Sequence, residues 1–169
     1  MTVITTETIA SSLNEQQLAV VIQYTVEAYK TFEKLAESLP NEMTAKMFKQ
    51  LAADERENRD LIEMKIAATG QARPRVTLGS DLAFQEILEG EVSYREACEF
   101  LIARERTIES RLVAYLKTSA PGDRNFLIYL AAVKRAHVVE LQRELELIRL
   151  DSNWWKREDP QHRIVYGGQ

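Results

Sequence analysis

Residues 130–141 read LAAVKRAHVVEL, and this stretch decides how the chain folds. Its terminal leucines lie on the same side of an α-helix as Lys134 and His137, because residues three or four apart share a helix face. Two further apolar residues lie on this face, Leu127 before the stretch and Leu145 after it, and extend it into an apolar stripe. The sequence therefore predicts a helix whose buried face is apolar at both ends and polar at its centre.

Three other segments repeat this pattern of an apolar stripe interrupted once by polar residues. The central polar residues are Thr25 in the first segment, Glu55 and Asn58 in the second, and Glu105 in the third. The flanking apolar positions are Leu18, Val21, Ala28, Phe32 and Leu35; Phe48, Leu51, Ile62 and Ile66; and Leu101, Ile108 and Leu112. If the four helices pack together, the polar residues meet in one layer at mid-height.

Turn-forming residues divide the chain between these segments. Long helices are predicted at 13–39, 42–69, 92–119 and 123–150, with one or two extra turns at 80–89. The predicted N-caps are Asn14 or Ser12, Asn41, Ser93 or Glu91, and Asp123. Short turns within each helix pair and a long connection between the pairs predict two antiparallel hairpins joined by a crossover. We therefore expect an all-α four-helix bundle over residues 1–150 and a C-terminal tail over 151–169.

Composition excludes several functional classes. The 169 residues are 45% hydrophobic and 28% charged with a net charge of −4, which is typical of soluble globular proteins. The sequence has no basic block of the kind that indicates nucleic-acid binding, and no apolar run is long enough for a membrane helix. The first ten residues, MTVITTETIA, lack the basic flank of a secretory signal. We expect a cytoplasmic protein. Cys98 is the only cysteine, which excludes an internal disulfide, and its position predicts a small buried hydrophobe.

The polar layer needs a physical reason, because burying a charge is costly unless the charge is paired or binds a metal. Carboxylate-bridged dimetal bundles take one Glu from each of two helices and a Glu-x-x-His pair from each of the other two. Glu55 with Asn58 and Lys134 with His137 have the i, i+3 spacing of such pairs.

At these positions the chain resembles the rubrerythrin branch of the ferritin-like superfamily. The resemblance rests on VEAYKTFEKLAE (26–37), FKQLAADERENRD (48–60), SYREA (93–97), ARERTIE (103–109) and LAAVKRAHVVEL (130–141). It implies metal ligands at Thr25, Glu55, Asn58, Glu105, Lys134 and His137, of which only Glu55, Glu105 and His137 match the family pattern. The resemblance also implies a four-helix ferritin-like fold, and iron- or manganese-dependent oxygen or peroxide chemistry where the site is complete.

The three positions that depart from the family pattern favour a layer without metal. A protonated Lys134 offers no lone pair, and its positive charge can neutralise Glu55 and Glu105 where a cation would otherwise lie. Our first hypothesis is that this ion pair replaces the metal, so that no cofactor is expected, no catalytic residue is assigned, and a structural or interaction role remains. The layer can also serve only to set the helix register. The alternative is a single Fe or Mn ion on Glu55, Glu105 and His137 in an oxidoreductase or an iron- or peroxide-handling protein.

Several charged and aromatic residues outside the layer are assigned no chemistry. Glu27, Asp54 and Glu57 are expected to face solvent, from their angular positions on their helices. Trp154 and Trp155 open a tail that we expect to pack across the bundle, onto a partner subunit or against another protein. We further predict a homodimer through the outer face that carries Ile22, Val26 and Tyr29.

Overall fold

The computed structural model describes residues 12–78 and 81–158. Within this part of the chain, the secondary structure is entirely helical apart from turns and an isolated bridge. The long helices are α1 (Glu15–Ser38), α2 (Glu42–Ala68), α4 (Tyr94–Thr118) and α5 (Pro121–Leu150). Two short elements complete the described structure: α3 (Leu82–Glu89) and a 3₁₀ turn (Trp154–Lys156). The all-α prediction, the four long helices and the extra helix within the crossover are confirmed.

Side-chain caps explain where three of the long helices begin. Asn14 accepts a hydrogen bond from the Gln17 amide and Ser93 accepts one from the Glu96 amide, each in a reciprocal capping box. The Asn41 side chain accepts hydrogen bonds from the amides of Met43 and Thr44. These three caps agree with the sequence prediction, because each side chain satisfies amides that have no partner inside the helix.

The predicted cap at Asp123 is wrong. Helix α5 begins two residues earlier, at Pro121, since proline fits the first position of a helix, where its missing amide proton is not needed. Asp123 is instead a buried carboxylate that accepts a hydrogen bond from the Leu13 amide at 2.9 Å and pairs with Lys65. It ties together the beginnings of α1 and α5 and the final turn of α2.

These contacts define the topology of the bundle. We call the end that holds Leu13 and Asp123 the lower end, and the end that holds Asn41 and Tyr94 the upper end. Helices α1 and α5 begin at the lower end, whereas α2 and α4 begin at the upper end. The segment between α2 and α4 therefore runs the length of the bundle, and the side chain of Gln23 holds it against α1 through two hydrogen bonds to the Thr77 backbone.

The buried apolar residues form two separate clusters, one towards each end of the bundle. The upper cluster includes Ala28, Phe32, Phe48, Leu51, Phe84, Cys98, Leu101 and Leu141. The lower cluster includes Leu18, Ile22, Ile62, Ile66, Ile108, Leu112, Leu127 and Leu130. On each long helix the predicted polar residues lie between the two clusters, so the polar layer divides the hydrophobic core. Ile22 is fully buried in the lower cluster, which removes it from the predicted dimer face.

The described part of the tail packs on the upper end of the bundle. The Trp155 ring lies 5.3 Å from the Tyr94 ring, centroid to centroid, and the Trp154 carbonyl accepts a hydrogen bond from Asn41 at 2.8 Å.

None of the helices in residues 12–78 and 81–158 is both long enough and apolar enough to cross a lipid bilayer.

Candidate functional site

The six polar residues singled out by the sequence are all buried, each with at most 1% of its surface exposed. They are Thr25 on α1, Glu55 and Asn58 on α2, Glu105 on α4, and Lys134 and His137 on α5. Not all six take part in contacts between the helices. Contacts across helices join the two glutamates, the lysine and the histidine, whereas Thr25 donates its hydroxyl proton to the Val21 carbonyl of its own helix at 2.8 Å.

Lys134 lies between the two glutamates. Its Nζ contacts Glu55 Oε1 and lies 3.8 Å from Glu105 Oε2. Burial alone raises the pKa of the Glu55 carboxyl, but the charges and hydrogen bonds of Lys134 and His137 outweigh burial and hold this pKa below its usual value. The face of the Tyr24 ring lies 5.0 Å from Nζ and adds a cation–π contact. The ammonium thus neutralises buried carboxylate charge without a metal.

His137 has a carboxylate on each ring nitrogen. Nδ1 lies 2.9 Å from Glu105 Oε1 and 3.4 Å from Glu55 Oε1, while Nε2 lies 2.9 Å from Asp54 Oδ2. Burial lowers the pKa of the imidazole, but the three carboxylates outweigh it and raise the pKa to about 11. His137 is therefore an imidazolium at neutral pH that donates a proton from each nitrogen.

Asp54 is the site residue that sequence reasoning missed. We expected it to face solvent, yet its side chain is only 31% exposed and reaches the far nitrogen of His137. The His137 hydrogen bond is the main cause of the lowered pKa of Asp54. One signal was available in the sequence, since Asp54 directly precedes Glu55 and lies about 100° around the helix from it, at the rim of the polar layer.

With Asp54 included, the charges of the layer divide into a neutral interior and an acidic rim. The buried anions Glu55 and Glu105 balance the cations Lys134 and His137, and Asp54 adds one negative charge where water can reach it. Such an arrangement lowers the cost of burying the charges, since each buried ion has an opposite partner.

Some polar atoms of the layer have no hydrogen-bond partner among the described residues. They are both amide atoms of Asn58, Glu55 Oε2, Glu105 Oε2 and the Tyr24 hydroxyl. Burial, followed by the charges of Glu105 and Glu55, raises the pKa of Tyr24. Buried polar atoms of this kind normally hydrogen-bond to something, so the layer has capacity for further contacts.

Glu27 was also expected to face solvent, and the structure corrects this as well. It is only 6% exposed, and its Oε1 accepts a hydrogen bond from the Asp81 amide at 3.4 Å. The α2–α4 connection covers this side of α1, which angular position alone does not reveal. Glu27 lies outside the layer, beside a groove of about 580 Å³ between α1 and α4 that Tyr24 and Arg104 also line.

Another buried carboxylate outside the layer lies towards the upper end. Glu144 accepts hydrogen bonds from the hydroxyls of Thr44 at 2.6 Å and Tyr94 at 2.9 Å. Cys98, which is fully buried as expected, lies on the next turn of α4 from Tyr94, and burial raises its thiol pKa to about 12. The thiol is therefore protonated at neutral pH and is not a nucleophile.

The residues present do not fit a dimetal centre. Only three of the six positions carry ligand side chains, and the ammonium of Lys134 contacts Glu55, one of the two carboxylates that a dimetal site would need as ligands. A single ion is geometrically compatible, because Glu55, Glu105 and His137 each place one ligand atom within 4.8 Å of the others. Such an ion requires His137 to lose its Nδ1 proton and has the positive charge of Lys134 as a neighbour.

Comparisons with known proteins support the fold and no more. No family model and no curated protein matches this sequence. The fold is similar to that in the crystal structure of a conserved hypothetical protein, rv2844, from Mycobacterium tuberculosis, with a TM-score of 0.60. The two sequences are 15% identical, and the match covers 78% of this chain and 92% of that one. An identity this low supports a shared all-α bundle and says nothing about activity.

Proposed function

We propose that this protein is a ferritin-like bundle of the rubrerythrin type in which an ion pair has replaced the dimetal centre. Lys134 with Glu55 and Glu105 takes the place of the metal, and the protein keeps a structural or interaction role. The observation that carries this proposal is the position of the Lys134 ammonium, which lies between two carboxylates that a dimetal site needs for its ions.

Two features of the layer support this reading. Both nitrogens of His137 face carboxylates, so neither offers a free lone pair to a metal while the ring is protonated. In addition, Thr25 and Asn58 stand where the family pattern has a carboxylate and an imidazole, and both are weak ligands for iron or manganese. The interior of the layer therefore balances its charges with protein groups alone.

Metal analysis tests the proposal directly. Protein purified without chelator from iron- and manganese-supplemented culture is expected to contain far less than one ion per chain. Lys134→Glu should increase uptake, because it removes the competing cation and adds a carboxylate. Lys65→Glu is the matched control, since Lys65 pairs with Asp123 at the lower end, outside the layer. Stoichiometric iron or manganese in the wild-type protein contradicts the proposal.

A single-ion oxidoreductase, or an iron- or peroxide-handling protein, is the second candidate. The clustering of ligand atoms from Glu55, Glu105 and His137 favours it, as does Asp54 on the far nitrogen of the imidazole. Metal-binding histidines usually donate their second N–H to a carboxylate in this way. In this case one Fe or Mn ion per chain is expected, and His137→Gln should abolish its binding while Glu27→Gln leaves it unchanged.

The assembly, the partners and the location of the protein are also proposals. We propose a cytoplasmic homodimer through the outer face of α1 at Val26 and Tyr29, without a nucleic-acid or membrane partner. The tail that begins at Trp154 is a candidate contact for another protein. Light scattering at micromolar concentration tests the dimer, for which a mass of one chain, 19.4 kDa, is the contradicting result.

A further inference from the structure

From the geometry of the layer we infer that Lys134 and Glu55 become joined by an intramolecular isopeptide bond. The inference rests on the proposed function, because it requires the ammonium of Lys134 rather than a metal at the Glu55 carboxylate. Three observations support it: direct contact of the reacting groups, their burial between two apolar clusters, and two further side chains placed to move protons.

The reacting groups touch inside the buried core. Lys134 Nζ contacts Glu55 Oε1, and both side chains are at most 1% exposed. Apolar clusters lie above and below the layer, with Leu51 on one side of Glu55 and Ile62 on the other. Because the charges of Lys134 and His137 favour the ionised form of Glu55, the ion pair is the resting state. The reaction begins when Nζ transfers one proton to Glu55 through this contact, which leaves a neutral amine beside a neutral carboxylic acid. The neutral amine is then a nucleophile beside an electrophilic carboxyl carbon.

Glu105 and His137 complete a closed path for protons around the reacting atoms. Glu105 Oε2 lies 3.8 Å from Lys134 Nζ and accepts no hydrogen bond from the described residues. Glu105 Oε1 lies 2.9 Å from His137 Nδ1, which in turn lies 3.4 Å from Glu55 Oε1. A proton that leaves Nζ can thus reach the departing oxygen through one carboxylate and one imidazole.

The reaction balances without an oxidant or any other reactant. The Nζ lone pair attacks the Glu55 carboxyl carbon, and the C–N bond forms while Nζ passes a proton to Glu105. His137 protonates the Glu55 hydroxyl, the C–O bond breaks, and water leaves. His137 then regains its proton from Glu105, so both groups return to their starting state. The products are one secondary amide and one water molecule, and nothing is oxidised or reduced.

The surrounding helices hold the reacting groups and can accommodate the product. Glu55 and Lys134 lie in the middle of α2 and α5, and fixing two reactants in contact raises their effective concentration to about 10⁵ M or more. Asn58 lies three residues after Glu55 on the same face of α2, with an unpartnered amide nitrogen. Glu55 Oε2, which becomes the amide carbonyl oxygen, also has no hydrogen-bond partner among the described residues.

Intact-mass measurement of the denatured protein tests the inference. The wild-type chain is expected to be lighter than its sequence by one water molecule, about 18 Da. A digest should then contain one branched peptide that links Lys134 to Glu55. Glu105→Gln is expected to have its full sequence mass, because the proton path is broken. Glu27→Gln, a buried carboxylate outside the layer, should keep the deficit.

The result from the wild-type protein is decisive even if a variant does not fold. A full sequence mass with separate Glu55 and Lys134 peptides overturns the isopeptide bond, as does a water loss located elsewhere. If that protein is also free of metal, the proposed function stands without the bond. Stoichiometric iron or manganese overturns the proposed function, and the isopeptide bond with it.

Discussion

Asp54 and His137 are joined across α2 and α5 by a contact of 2.9 Å between Oδ2 and Nε2, with one residue at the rim and the other buried. This contact gives the imidazole a carboxylate on its outer side to match Glu105 on its inner side. The histidine is consequently a cation fixed between two anions. Its charge state is the property of the layer that solution experiments can read most directly.

Removal of the outer carboxylate should make His137 easier to deprotonate. We expect Asp54→Asn to lower the pKa of His137 by about 1 to 3, since one nearby opposite charge is lost. Nitrogen-15 NMR of the imidazole measures this, because an imidazolium has protons on both ring nitrogens. Asp60→Asn, on the exposed side of α2, is the matched control and should leave the spectrum unchanged. A neutral wild-type imidazole at pH 8 would contradict the assignment.

The raised pKa of His137 also predicts how stability depends on pH. The pKa is about 11 in the folded protein and about 6.5 in the unfolded chain. Between these values the folded state binds more protons, so the free energy of unfolding should fall as pH rises. The contribution is complete below pH of about 6.5 and decreases by at most about 1.4 kcal/mol per pH unit above it.

Denaturant unfolding at pH 7, 8 and 9 measures this slope. The His137→Gln variant lacks the titrating group and should show a flatter profile over the same range, even though its overall stability is lower. An equal slope in the two proteins would show that His137 does not change its protonation between the folded and unfolded states.

Cys98 should be unreactive in the folded protein. Its side chain is fully buried and its thiol pKa is raised to about 12 by burial, so very little thiolate exists at pH 8. A chromogenic disulfide reagent is expected to label the native protein slowly and to label one thiol per chain after denaturation. Rapid labelling of the native protein would mean that the upper cluster opens readily.

Restoration of the missing ligands should create a metal site. The triple variant Thr25→Glu, Asn58→His, Lys134→Glu places six ligand side chains at the six buried positions of the layer. Manganese or ferrous iron at about 100 times its Kd should then stabilise the variant by about 2.7 kcal/mol. Thermal unfolding with metal and with chelator measures the gain, and the wild-type protein is the control. Unchanged melting of the variant would show that the six positions do not converge closely enough to bind a metal.

Sequence alone determined the four long helices, their hairpin pairing and the polar layer, because the 3.6-residue period fixes which side chains share a face. Tertiary structure alone decided which groups meet. Three contacts depend on how closely neighbouring segments approach: that of Asp54 with His137, that of the α2–α4 connection with Glu27, and that of the Trp155 ring with the Tyr94 ring. The periodicity of the sequence specifies the direction in which each side chain points around its own helix axis. The distances between helices and the path of a connection result instead from packing across the whole bundle.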